Sequence, residues 1–382
     1  MKKGMIRCVF FLLFVLMLSP TAGAQTMGSE DTQSTPLPKE YNTFTEAIPG
    51  EVADLLPEAF FSNDPAKVEG AIQELVGIRA ILNTVGEFTG LAFSQSLALL
   101  AQICGILLLG AVFRALSPQG EGAGKALSFC TTLAMTLLLL GTQSSRFSTL
   151  SHYFDTVQGF SAAMLPMMGA LYAMGGNVRV AVANHGIMSA FLSILETFCA
   201  GSVLPIAGIC MALALLDAVS GRVSLRPLAG FIKRTYTLTV SFLMLLLCGV
   251  LGMQTTLAKA GDTLALRTAR FAAGSFLPVI GGSIAESLRT VAAGVEYLRG
   301  VAGTGAILVL FLSFLPMFLS ILLTRVAFLL GGTAAKLLCC EAEEKILSEM
   351  GSIYGYFMAV IAALFVMTVF SLVLFARCAA AG

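Results

Sequence analysis

Long apolar runs, nearly free of charge, restrict this chain more than any other feature. Leu91 to Leu116 and Ala126 to Thr142 are two of them, and Gly186 to Ser220, Phe231 to Met253, Ala302 to Leu330 and Ile353 to Phe375 are the others. A helix that crosses a bilayer needs about 20 mostly apolar residues. Backbone at membrane depth must satisfy its own hydrogen bonds, which favours helices. The composition agrees: 57% of residues are hydrophobic and 12% charged, against about half and a quarter in soluble domains. The fold class expected is therefore all-α, a polytopic transmembrane helical bundle. A net charge of +1 provides no steering towards nucleic acid or acidic substrates.

Some of the apolar runs are interrupted. From Arg267 to Leu288 the chain reads RTARFAAGSFLPVIGGSIAESL, with Pro278 inside an apolar stretch and the pair Gly281-Gly282 after it. Proline removes a backbone donor and crowds the preceding turn, and glycines loosen the turn after it. This predicts a broken or re-entrant Leu-Pro-Gly segment. Met164-Leu165-Pro166-Met167-Met168-Gly169 echoes it upstream. Leu204-Pro205 recurs as Leu315-Pro316, and Lys233 as Lys345, at nearly the same offset. The order of landmarks predicts an internal repeat.

Taken in order, residues 1–24 read as a signal peptide: Lys2, Lys3 and Arg7, an apolar core from Val9 to Leu18, then Ala22-Gly23-Ala24. An uncleaved anchor is the alternative. Residues 25–90 read as an extracytoplasmic leader, polar and flexible to residue 50 and then amphipathic helices. Asp64-Pro65 supplies a cap and a first-turn proline for one of these helices. Residues 91–159 form a first transmembrane hairpin and loop, 160–255 membrane repeat A, and 256–382 membrane repeat B. Arg222, Arg226, Lys233 and Arg234, with no acid among them, mark a cytoplasmic loop by the positive-inside rule. One scheme then has six crossings with two broken segments, 160–176 being re-entrant. An eight-span scheme splits the long runs at Pro205 and Pro316.

No nucleophile–base set is legible, and no catalytic, cofactor or metal-binding residues are assigned. His152 and His185 stand alone and read as loop residues. The nine cysteines read as small hydrophobes. Gly120 to Lys125 lacks the phosphate-loop spacing, so any energy comes from a partner or a gradient. Glu196, Asp217 and Arg325 are charges within apolar runs, where a charge costs at least about 2.5 kcal/mol. Glu196 reads as the deepest, facing either a polar path or a structural partner, of which Arg325 is the first candidate. Asp217 and Arg325 read as snorkelling side chains. The spacing Gly201…Gly208 reads as close helix packing. The candidate functional residues are Pro278, Gly281, Gly282, Pro166 and Glu196.

The leader, the spans and above all Arg267, Arg270 and Phe276-Leu277-Pro278-Val279-Ile280-Gly281 resemble the stage III sporulation protein AE family of endospore-forming bacteria. The resemblance implies a non-enzymatic membrane subunit, without cofactor, of a channel or secretion-like complex linking mother cell and forespore. It implies a place in the outer forespore membrane. The partners it implies are other stage III sporulation membrane proteins, a cytoplasmic ATPase and a forespore-side protein. The alternative is a stand-alone secondary transporter with broken helices at the membrane midplane.

Overall fold

Leu37, Tyr41, Phe44, Ile48, Val52, Leu56 and Phe60 recur every three or four residues, and all seven are buried. That spacing places one apolar stripe along the short helices that open the described chain: α1 (Glu40–Glu46), α2 (Gly50–Ala53) and a 3-10 turn (Glu58–Phe61). The computed structural model describes residues 37–76, 78–116, 121–174, 178–220, 225–243 and 281–377, together with 245, 246 and 249. The signal peptide, Pro278 and the Phe-Leu-Pro-Val-Ile stretch before Gly281 lie outside them. Residues 37–50, expected to be flexible, instead fold. Tyr41 donates to the Phe60 carbonyl at 2.8 Å, and burial pushes its phenol well above the usual range. Asp64 caps α3 (Pro65–Val76), accepting the Ala66 N–H at 3.1 Å. The Phe44 ring meets Phe160 edge-on at 5.4 Å. Phe60 lies 3.2 Å from where a Cβ on Gly305 would stand, so the leader packs directly on the bundle.

The bundle consists of α4 (Ile78–Leu116), α5 (Glu121–Met174), α6 (Val178–Ser220), α7 (residues 226–243), α8 (Gly281–Leu337) and α9 (Glu341–Arg377). Side-chain contacts fix their directions. Ile103 and Arg114 of α4 meet Gly331 and Cys340, so α4 runs with α8. On α5, Thr131, Gln143 and Phe147 meet Glu343, Tyr354 and Phe357, so α5 runs with α9. Ser161 meets Glu196, and Ser202 meets Tyr236, so α6 runs against both α5 and α7. The leader sits at the α8 end near Gly305, and the α6–α7 corner sits by the start of α9, at the other end of α8.

Among the described residues, four helical stretches are long and apolar enough to cross a membrane: Phe88–Ala115, Ser193–Ala218, Gly300–Leu337 and Glu341–Val369. The expected span at 126–142 lies within α5 and is not one of these four, and the expected span at 231–253 runs into residues outside those described. Leu108, Leu109 and Phe113 of α4, Leu133 and Leu137 of α5, Ile209 and Leu216 of α6, and Phe231 and Leu238 of α7 are exposed. In water such a surface would collapse; here it meets lipid tails. The chain is a multi-pass membrane protein.

The prolines behave differently from expectation. α5 runs unbroken through Pro166, α6 through Pro205 and α8 through Pro316. Residues 160–174 are thus the end of a 54-residue helix, not a separate re-entrant piece. Pro166 and Pro205 face outward, so each ring displaces no packed side chain and only a backbone bond is lost. Buried Leu165, Met167 and Met168 hold α5 on either side of Pro166. Positions 152 and 185 are likewise helical, in α5 and α6. Close helix packing falls on glycines other than the expected pair. A Cβ on Gly331 would stand 2.9 Å from Ile103 Cγ2 and one on Gly110 2.7 Å from Thr131 Cγ2, whereas Gly201 and Gly208 meet nothing within 4 Å.

The α8–α9 corner is made locally. The N–H of Cys340 bonds the Ala335 carbonyl at 2.9 Å, and Cys339 takes a φ of 55°, the left-handed cap that glycine adopts more readily. Glu341, Glu343 and Glu344 then fill the first turn of α9, where the helix dipole favours negative charge.

Candidate functional site

Three helices each present a polar stripe to one another. On α6 the stripe is Glu196, Cys199, Ser202, Cys210 and Asp217; on α7 it is Arg226, Lys233 and Tyr236; on α9 it is Glu349, Ser352 and Tyr356. Successive positions are three, four, seven or eight residues apart, so each set lies along one helix face. At the α6–α7 corner the carboxylate of Asp217 accepts the Leu225 N–H at 2.6 Å and stands 4.0 Å from Arg226 Nε. It caps the start of α7 and does not snorkel; its side chain is 6% exposed. Arg226 donates to the Lys345 carbonyl at 3.1 Å, and its Nε is 4.0 Å from Glu349. Lys233 completes the group, with Nζ 2.9 Å from Glu349 Oε2 and 2.7 Å from Ser352 Oγ. Each of these four charges meets an opposite charge or a backbone dipole, the condition for tolerating charge away from water.

Further along, the column is neutral. Ser202 and Tyr236 share a hydrogen bond of 2.7 Å, and the Ser202 hydroxyl also approaches the Phe198 carbonyl. The Tyr236 ring stacks on Phe198 at 5.4 Å and meets Tyr356 edge-on at 5.4 Å. Glu196 ends the column near the start of the apolar stretch Ser193–Ala218. It is 4% exposed and accepts the Ser161 hydroxyl at 2.6 Å.

Glu196 is therefore deep in protein but near one end of its apolar helix. Its partner is Ser161, not Arg325. The Arg325 guanidinium packs over Gly355, with Nη1 3.8 Å from Met358 Sδ, on the α8 side of α9. Glu349, Ser352 and Tyr356 face α6 and α7, so α9 stands between the two charges. Of the other candidates, Pro166 faces outward on α5. Gly281 and Gly282 open α8, and Pro278 lies outside the described residues.

A second polar group lies across α9. Glu343, fully buried, accepts Thr131 at 2.7 Å and Thr132 at 3.2 Å. Arg114 donates to the Cys340 thiol beside it; burial pushes that thiol up, and the guanidinium pulls the other way. Sequence reading misses Thr131, Thr132 and the Lys233–Glu349 pair. In the sequence Lys233 stands out only as a repeat landmark and a basic loop residue, and Glu349 carries no signal of its own. Among the described residues, no three His, Cys, Asp or Glu side chains come together as metal ligands.

Comparison with known proteins places this bundle among its relatives. No solved structure matches it. The stage III sporulation protein AE of Bacillus subtilis (strain 168) is 23% identical over 149 residues, which is 39% of this chain and 37% of that protein. The matched stretch thus spans well under half of the relative. The family model described as Stage III sporulation protein AE matches residues 68–379, a range that takes in all six long helices. The chain belongs to the stage III sporulation protein AE family.

Proposed function

We propose that this protein is an integral membrane subunit of a channel or secretion-like complex that links mother cell and forespore and supports forespore development. The observation that carries the reading is the family match over residues 68–379 on a chain that has, among its described residues, four helical stretches long and apolar enough to cross a membrane. The polar column adds support of a different kind. A subunit that works by assembly needs a rigid membrane body, and the Asp217–Arg226–Glu349–Lys233 group locks α6, α7 and α9 at one end. The role is non-enzymatic, with energy supplied by a cytoplasmic ATPase partner. Other stage III sporulation membrane proteins and a forespore-side protein complete the assembly in the outer forespore membrane.

The test is purification of the tagged chain from sporulating cells. Recovery of membrane partners together with an ATPase is expected. A chain that purifies alone and transports a solute in vesicles would overturn the reading and establish a stand-alone transporter. Orientation is checked separately, after replacing exposed Cys130 and Cys339 with serine. A cysteine at Leu337, 84% exposed, should resist impermeant thiol reagents in intact cells, and one at Glu46 should label.

A further inference from the structure

A cavity of about 510 Å³ lies between α4, α5, α8 and α9, on the side of α9 away from the polar column. Gln95 and Gln102 line it from α4, Ser145 and Arg146 from α5, Ser320 from α8 and Tyr354 from α9. Its α8 and α9 walls fall in the middle of the stretches Gly300–Leu337 and Glu341–Val369, and its α4 wall within Phe88–Ala115. Its size is in the ~300–1,000 Å³ range of small-molecule sites.

Among the described residues, Arg146 is the only charged side chain of the lining. Its Nη1 donates to the Thr324 hydroxyl at 2.6 Å, and Tyr354 is its other polar neighbour. Both are neutral; the Tyr354 hydroxyl donates its proton to Gln143 Oε1 at 2.6 Å, which leaves its oxygen to accept from Arg146. Among the described residues no carboxylate lies within ion-pair distance of Arg146. A guanidinium has five N–H donors in a planar fork, and two neutral hydroxyls neither fill that fork nor offset its charge. A charge among apolar helices usually faces an opposite charge. Two glutamine amides and the serine hydroxyls add neutral donors, while among the described residues no lining side chain is anionic. A cationic solute would thus meet a like charge and no counter-charge.

We infer that this cavity binds a small anionic group, a phosphate or carboxylate, on Arg146, with the Gln95 and Gln102 amides completing its hydrogen bonds. The anion either belongs to a free solute or is the phosphate of an anionic lipid headgroup. The inference does not rest on membership of a complex.

The test uses the full chain purified in neutral detergent, with inorganic phosphate as one probe and phosphatidylglycerol as the other. Saturable thermal stabilisation of the wild type is expected with at least one of them. Stabilisation by phosphate identifies a free anion; a response to phosphatidylglycerol but to neither phosphate nor phosphatidylcholine identifies a headgroup. Arg146→Gln should weaken the response about tenfold or more, and Arg146→Lys should retain most of it, since charge-assisted hydrogen bonds are about twice as strong as neutral ones. Ala98→Leu narrows the cavity while leaving Arg146 and Thr324 in place, and should weaken binding similarly. No response in the wild type, or equal responses in wild type, Arg146→Gln and Ala98→Leu, would overturn the assignment.

Discussion

The two sides of α9 treat charge in opposite ways. Towards α6 and α7, Lys233, Glu349, Arg226 and Asp217 meet each other within 4.0 Å. Towards α4, α5 and α8, Arg146 meets only neutral oxygens, the Thr324 hydroxyl and the Tyr354 phenol, beside a cavity. A compensated set has no vacancy for a ligand and joins helices; an uncompensated guanidinium does little for packing and leaves its field for whatever enters. The same helix therefore separates a structural surface from a receptive one.

The compensated side should be the more fragile. Glu349→Ala leaves Lys233 and Arg226 without their shared carboxylate, and breaking such a buried pair costs about 3–5 kcal/mol. Thermal unfolding in detergent should show the loss, and Lys233→Met with Glu349→Leu should restore most of it. An unfolding temperature close to that of wild type for Glu349→Ala would remove the contrast between the two sides.

At the other end of the column the pair is one carboxylate and one neutral donor. Ser161→Ala strands the Glu196 carboxylate and should cost about 1–3 kcal/mol. Glu196→Gln keeps an acceptor for Ser161 and should cost less than that. If Glu196→Gln proves the more damaging in abundance or protease resistance, the charge itself is needed, and the polar-path reading of Glu196 returns.

Across α9, Arg146→Gln should cost about 1–2 kcal/mol, its neutral hydrogen bonds to Thr324 and Tyr354. The Thr324 hydroxyl keeps its own bond to the Ser320 carbonyl at 2.7 Å. A loss as large as that of Glu349→Ala would show Arg146 to be structural. The smallest change is at the corner that sets where α9 starts. Cys339→Gly relieves a left-handed residue at φ 55° and should raise stability by about 1 kcal/mol, without altering the balance between the two sides.

Much of the architecture is legible in the chain itself. Runs of about 20 apolar residues need lipid or burial, so helices, membrane and class come from composition and order. The Asp64-Pro65 start of α3 is legible because capping is local. The leader's first stripe, Leu37 to Ile48, is equally present as spacing, but its polar neighbours hide it and give the segment the look of flexible chain. Arg146 is hidden for a related reason. It comes after the run 126–142 in the polar string Gln143-Ser144-Ser145 and looks like loop, yet α5 continues through it.

What the sequence alone determined is the helical class, the apolar stretches and the local caps, because hydropathy and capping act over a few residues. What only the tertiary structure decided is which charges meet. Glu196 finds Ser161 across α5 and not Arg325, and Lys233 finds Glu349 from a distant part of the chain. Glu343 reaches back to Thr131, while Arg146 meets no acid among the described residues. Such pairings depend on the rotation and height of each helix. Those are fixed by close contacts such as Gly331 on Ile103, and a charge in an apolar run takes its meaning only from the neighbour that packing brings to it.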